Sequence, residues 1–160
     1  MQESGVIVAL VTLCVSLTIA TPLFFTKMNL LNVVRQSSYI GIMAVGMVFV
    51  ICMGDIDLSV GSIMTITNVI TAIMLRNGSS VIVAVTVGLL TGALCGFING
   101  VLSALLKIPT IIVTLGTLSI YRGAALVLCG NAAISNFPKD NFFFNIVGGN
   151  IGAVPTSAVL

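Results

Sequence analysis

The sequence predicts an all-α integral membrane protein, a polytopic helical bundle, and three observations carry that expectation: scarce charge, long apolar runs, and short polar breaks between the runs. Only 6% of the 160 residues are charged, whereas 58% are hydrophobic, and the mean hydropathy is +1.25. A soluble domain carries about a quarter charged residues to keep its surface wetted, so much of this surface must face lipid. The net charge of +2 comes from six basic residues scattered along the chain, which excludes a basic patch for nucleic acid. Cys14, Cys52, Cys95 and Cys129 stand alone in apolar stretches, with no CxxC spacing and no histidine in the chain. Neither a metal site nor a cofactor is expected from them.

The runs follow one another in order. Residues 5–25 contain no charge and meet the requirement of about 20 apolar residues for a first span. Residues 26–38 carry Lys27, Asn29, Asn32, Arg35 and Gln36, so this stretch is expected outside the hydrocarbon or along its surface. From 39 to 75 the chain is apolar except at Asp55 and Asp57; as one helix it would reach roughly 55 Å, nearly twice the membrane core. A break is therefore expected at Gly54-Asp55-Ile56-Asp57, with Asp57 or Ser59 capping the next helix. That gives spans at 39–53 and 58–75. A polar turn at 76–80 precedes an uncharged run at 81–106, long enough to cross if tilted. Lys107-Ile108-Pro109 closes it. The segment 110–129 is expected to be either an interrupted span or a re-entrant pair, because its first apolar piece reaches only about 16 Å, Gly116 loosens it and Arg122 ends it. Residues 130–155 turn to Asn, Gly and Phe, as in an aqueous loop with aromatic residues at the interface. A sixth span is expected near Pro155, so the chain reads as the N-terminal part of a larger, truncated bundle.

Three features could carry function. Gly88, Gly92, Gly96 and Gly100 recur every fourth residue, a spacing that drifts only about 40° per step around a helix. Small residues in such a stripe let membrane helices approach closely, and Asn99 beside them is an interhelical hydrogen-bonding candidate. Asp55 and Asp57 are the only acids between Glu3 and Asp140. A carboxylate at membrane depth is costly unless paired or hydrated, so they either cap a tight turn at the interface or line a hydrated path. Two residues apart on a helix, they would point away from each other and form no carboxylate pair. Finally, Pro109, Thr110, Thr114, Gly116, Thr117 and Arg122 describe a broken polar helix of the kind that builds transporter sites. The bland alternative is that its hydroxyls bond back to their own helix.

The stretch Gly54-Asp55-Ile56-Asp57-Leu58-Ser59-Val60-Gly61-Ser62 resembles a signature of the permease subunits of bacterial monosaccharide importers of the ribose, xylose and galactose type. Two further blocks resemble the same family: NLLNVVRQSSYIGIMAVG at 29–46 and IPTIIVTLGTLSIYRGAALVLCG at 108–130. The resemblance implies the BtuC-like (type II) ABC importer permease fold, with about ten helices in a full subunit, five or six of them in this chain. It also implies two ATP-binding cassette subunits, a periplasmic sugar-binding protein, a second permease subunit and a lipid setting in the bacterial inner membrane. ATP hydrolysis would belong to the partner, and the sugar would cross by alternating access. Among the residues above, the resemblance points to Gly54, Asp55, Asp57, Ser59, Gly61 and Ser62. Alternating spans place Lys27, Arg35 and Arg76 on one side and Lys107 on the other. The charge bias alone thus puts the N-terminus outside, whereas the resemblance implies inside. The alternative class is a secondary transporter coupled to protons through Asp55 or Asp57.

Overall fold

The computed structural model describes residues 2–135, 150–151 and 154–155. Among these residues there are five helices: α1 (Gln2–Ala20), α2 (Lys27–Cys52), α3 (Val60–Arg76), α4 (Val81–Leu106) and α5 (Thr110–Leu128). A two-residue antiparallel ladder pairs Asn150 with Pro155 and Ile151 with Val154, inside the stretch expected as a loop. The sixth span expected from near Pro155 lies outside the described residues. Two compact units divide the chain, with the division after Ile42 among the described helices.

In the first unit, three hydroxyl side chains in the apolar part of α1 are satisfied within the helix. Thr12, Ser16 and Thr18 each donate to the carbonyl four residues back, at 2.6–2.8 Å, as a lipid setting demands. The helix stops at Ala20, short of the expected residue 25, and residues 22–25 form turns. Thr26 explains why α2 then starts at Lys27 rather than near Tyr39. Its hydroxyl accepts the Asn29 N–H at 3.4 Å, while the Asn29 amide donates to the Phe24 carbonyl at 2.7 Å. Hydroxyl and amide together cap the new helix. The segment 27–38 is therefore helix, not linker, because polar side chains do not oppose helix formation where the backbone bonds are made.

The second unit is built on α3, α4 and α5, with α3 packed against both others. Its centre is Ile66, Cys95, Tyr121 and Ala125, flanked by Ile63, Val69, Ile70 and Ala124. Gly88 lies directly on α3, where a Cβ would collide with the Thr71 hydroxyl; at Gly92 it would come within 3.3 Å of the Thr67 methyl. Large apolar side chains such as Leu89, Phe97, Leu105 and Val127 are more than two-thirds exposed, the arrangement lipid or further helices would cover.

The ends of α2, α3 and α5 are set by glycine. At Gly54, with φ of +81°, its N–H bonds to the Ile51 carbonyl at 2.9 Å and the Asp55 N–H to the Val50 carbonyl at 3.2 Å. This 5→2 and 6→1 pairing is a Schellman closure, which needs a left-handed residue. Gly78 and Gly130 repeat it at the ends of α3 and α5. At the start of α4, Ser80 accepts the Val83 N–H at 3.4 Å.

By length and composition α2, α4 and α5 can each cross a membrane, whereas the apolar part of α1, Gly5–Ala20, and α3 are shorter. The expected interruption of the last helix is corrected: α5 is continuous from Thr110 to Leu128. Gly116 and Arg122 both lie within it. One glycine costs about 1 kcal/mol in a helix, too little to break one whose Val113, Thr114, Thr117, Tyr121 and Ala125 are buried on a single face.

Candidate functional site

The break between α2 and α3 is where the polar residues of the second unit converge. Once Gly54 has closed α2, the chain leaves helical geometry through Asp55, Ile56 and Asp57 before α3 begins. Asp57 organises this start. Its Oδ1 accepts the Ser59 backbone N–H at 2.7 Å and the Ser59 hydroxyl at 2.6 Å. Of the two expected caps, Asp57 thus supplies the acceptor, while Ser59 holds the cap position with no capping bond from its own side chain.

Ser59 is fully buried, and its single hydroxyl proton is committed to Asp57. Its oxygen is therefore an acceptor, which is filled by Asn99 Nδ2 of α4 at 2.8 Å. That contact orients the Asn99 amide, turning Oδ1 toward the Tyr121 hydroxyl of α5 at 3.2 Å. Tyr121 also lies 3.1 Å from the Cys95 carbonyl, so its proton is shared between two acceptors. The donors therefore run in one direction, from Tyr121 through Asn99 and Ser59 to the Asp57 carboxylate. Such a chain polarises its members cumulatively and joins all three helices. Breaking it would leave buried polar groups unpaired, at about 1–3 kcal/mol each.

Asp55 makes a second, separate tie. Its Oδ1 accepts the Thr110 hydroxyl at 2.8 Å. Because the Thr110 proton is spent there, the single Ser103 hydroxyl proton is shared between the Thr110 oxygen at 2.9 Å and the Ile108 carbonyl. Ser103 also reaches the Ile108 carbonyl at 2.9 Å, bracing the α4–α5 corner in which Lys107 takes a φ of 53°. Thr114, fully buried, bonds back to the Thr110 carbonyl at 2.8 Å and lies 3.4 Å from the Ile56 carbonyl.

These ties enclose a recess of about 340 Å³ whose walls include Asp55, Asp57, Gly96, Asn99, Gly100 and Thr114. The two carboxylates share it, although a helical geometry would have aimed them apart, because they lie in the non-helical turn. Gly96 and Gly100 are exposed, and a Cβ at either would meet nothing within 4 Å. The stripe is thus a packing surface only at Gly88 and Gly92. A second recess, of about 480 Å³, gathers Gly61, Ser62 and Arg122. Pro109 is exposed at the N-terminus of α5 and Gly116 is exposed in mid-helix, and neither lines either of these two recesses.

Tyr121, Ser103 and the Cys95 carbonyl were not singled out from the sequence. A tyrosine inside an apolar run carried the available signal, since its hydroxyl requires a partner wherever it is buried. Among the described residues, no cluster of His, Cys, Asp or Glu could hold a metal ion.

Comparison with known proteins places this geometry. The family described as branched-chain amino acid transport system / permease component matches residues 29–153. The ribose import permease protein RbsC of Haemophilus influenzae is 37% identical over 155 residues, covering 96% of this chain and 48% of that protein. The L-arabinose ABC transporter permease protein AraH of Azospirillum brasilense is 32% identical, covering 93% of this chain and 43% of its own length. The autoinducer 2 import system permease protein LsrC of Salmonella typhi is 36% identical, covering 86% and 40% respectively. The chain spans about half the length of these relatives. No solved structure gives a significant match. With apolar helices long enough to cross a membrane and a match through every helix from α2 to α5, this chain belongs to the permease-component family of ATP-binding cassette transport systems.

Proposed function

We propose that this chain is the N-terminal part of the transmembrane permease subunit of an ATP-binding cassette importer. In this reading it moves a monosaccharide or a sugar-like solute across the bacterial inner membrane by alternating access. The observation that carries it is the family match over 29–153, within which the turn from Gly54 to Ser59 ties α3, α4 and α5 together. The names of the relatives, ribose, L-arabinose and autoinducer 2, favour polyhydroxylated solutes over amino acids.

The mechanism needs no chemistry on the solute, hence no catalytic residue and no cofactor. Hydrolysis of ATP belongs to two partner subunits, delivery to a periplasmic sugar-binding protein, and the pathway to a pair of permease subunits in a BtuC-like arrangement. The bonded helices α3, α4 and α5 move as one packed body, since side-chain ties between them resist independent sliding. The recess at Asp55, Asp57, Gly96 and Asn99 is a hydrated wall of the pathway, where a solute hydroxyl meets acceptors without being held tightly. The proton-driven alternative has no support here, because both carboxylates are engaged as acceptors that hold the turn.

The test is uptake of labelled ribose, L-arabinose or autoinducer 2 by the full-length permease in proteoliposomes with its partners. The expected result is accumulation that needs ATP and the binding protein and ignores an uncoupler. Transport that persists with ATPase subunits unable to hydrolyse ATP would overturn the proposal.

A further inference from the structure

Arg122 occupies an unusual place. It is the thirteenth of the 19 residues of α5, a helix apolar enough to cross a membrane, and it is exposed. A cation there is costly to insert, by about 2.5–3.5 kcal/mol on insertion scales, and persists where it meets a partner or a water-filled path. Among the described residues Arg122 has neither an ion pair nor a hydrogen-bonded partner for its side chain. Its neighbours one turn away, Leu118 and Leu126, share its recess of about 480 Å³, so the charge interrupts an apolar stripe.

The opposite wall belongs to α3 and has complementary chemistry. Ser62 donates its hydroxyl proton to the Ser59 carbonyl at 2.7 Å, and Thr65 donates to the Gly61 carbonyl at 2.8 Å. With both protons spent on the helix, each hydroxyl oxygen retains acceptor capacity and no donor. Arg122 offers the reverse, up to five donors and no acceptor. Between them Gly61 has nothing within 4 Å of a Cβ position, so the wall is bare backbone at that point. Donors facing acceptors across a cavity of this size suit a neutral solute carrying several hydroxyls, each able to give and accept. A cation would be repelled by Arg122, and an anion would find a donor only in Arg122 and none on the α3 wall.

We infer that Arg122, with Ser62 and Thr65, forms a transient solute-contacting subsite for a polyhydroxylated neutral molecule on the α3–α5 face, distinct from the recess beside Asp55 and Asp57. This subsite rests on the import reading above and names the side chain that handles the solute. A path residue acts on the solute moved per ATP rather than on hydrolysis itself.

The experiment uses the full-length permease reconstituted with its ATPase subunits and binding protein, taking labelled ribose as the probe and measuring uptake and ATP hydrolysis in the same vesicles. Arg122→Gln is expected to keep binding-protein-stimulated hydrolysis within about twofold while ribose moved per ATP falls at least tenfold. Arg122→Lys is expected to recover part of that ratio. Gly61→Leu, whose Cβ has nothing within 4 Å and whose longer side chain occupies the recess, is expected to lower the same ratio with Arg122 intact. An unchanged ratio in Arg122→Gln and Gly61→Leu would overturn the inference. So would loss of assembly or of hydrolysis in Arg122→Gln, since either assigns the guanidinium to a structural partner. A wild-type complex that hydrolyses ATP without moving any of the three solutes would instead overturn the import reading itself.

Discussion

The glycine stripe of α4 does two different things along one helix. At Gly88 and Gly92 it is a packing surface, pressed against Thr71 and Thr67 so closely that a single added carbon would force a shift. At Gly96 and Gly100 the same spacing opens onto the recess that holds Asp55 and Asp57, with no neighbour to crowd. Asn99 sits at the change of use, buried at 4% exposure, and passes a hydrogen bond from α5 to the start of α3. A four-residue repeat thus specifies a bare helix face; what lies opposite decides whether the face is glue or wall.

Substitutions can break this comparison, and Asn99→Leu is expected to have the largest effect. It removes the donor to Ser59 and the acceptor for Tyr121 in one step; Ser59 keeps Asp57 and Tyr121 keeps the Cys95 carbonyl, so the two lost bonds together cost up to about 3 kcal/mol. The check is thermal unfolding of the detergent-solubilised full-length permease, where Asn99→Leu should melt well below wild type. Gly88→Leu should come next, at about 2 kcal/mol for overpacking against Thr71 and the Thr67 backbone. A companion Thr71→Ala should recover part of that loss, since it removes the atom that Gly88→Leu meets first.

Two further glycines sharpen the comparison because neither touches a neighbour. Gly54 is needed for its backbone, with φ of +81°, so Gly54→Ala should cost about 1 kcal/mol from left-handed strain alone. Gly116 is needed for neither space nor conformation. Gly116→Ala should stabilise α5 by about 0.5–1 kcal/mol, the smallest effect of the series and the one opposite in sign. A marked loss in Gly116→Ala would restore the idea of a hinge in that helix.

Much of this was legible in the residues. The uncharged run at 81–106 announced α4, and the two acids in an otherwise apolar stretch announced the break before α3. Composition and run length together established the membrane setting. Other parts were hidden for definite reasons. Lys27, Asn29, Asn32 and Arg35 suggested a linker because hydropathy measures lipid contact, whereas α2 depends on backbone bonds capped by Thr26. Arg122 suggested a helix end as a charge in an apolar run, yet α5 continues through it because Val113, Thr114, Thr117, Tyr121 and Ala125 hold one buried face along its length. The convergence of Asp55 and Asp57 on one recess was invisible to a helical wheel, since both residues lie outside any helix. The Tyr121 to Asp57 relay joins residues 64 positions apart, a pairing only the packing of three helices can create.

The measurement that bears most directly on the division of α4 is the pair Gly96→Leu and Gly88→Leu, each scored for unfolding temperature and for solute uptake in the reconstituted importer. Gly96→Leu should melt within about 2 °C of wild type, the shift of a substitution worth under 0.5 kcal/mol, and should lose most of its uptake by filling the recess. Gly88→Leu should lose stability first. A Gly96→Leu permease that is fully active, or one that is as unstable as Gly88→Leu, would contradict the assignment of that end of the stripe to the wall of the pathway.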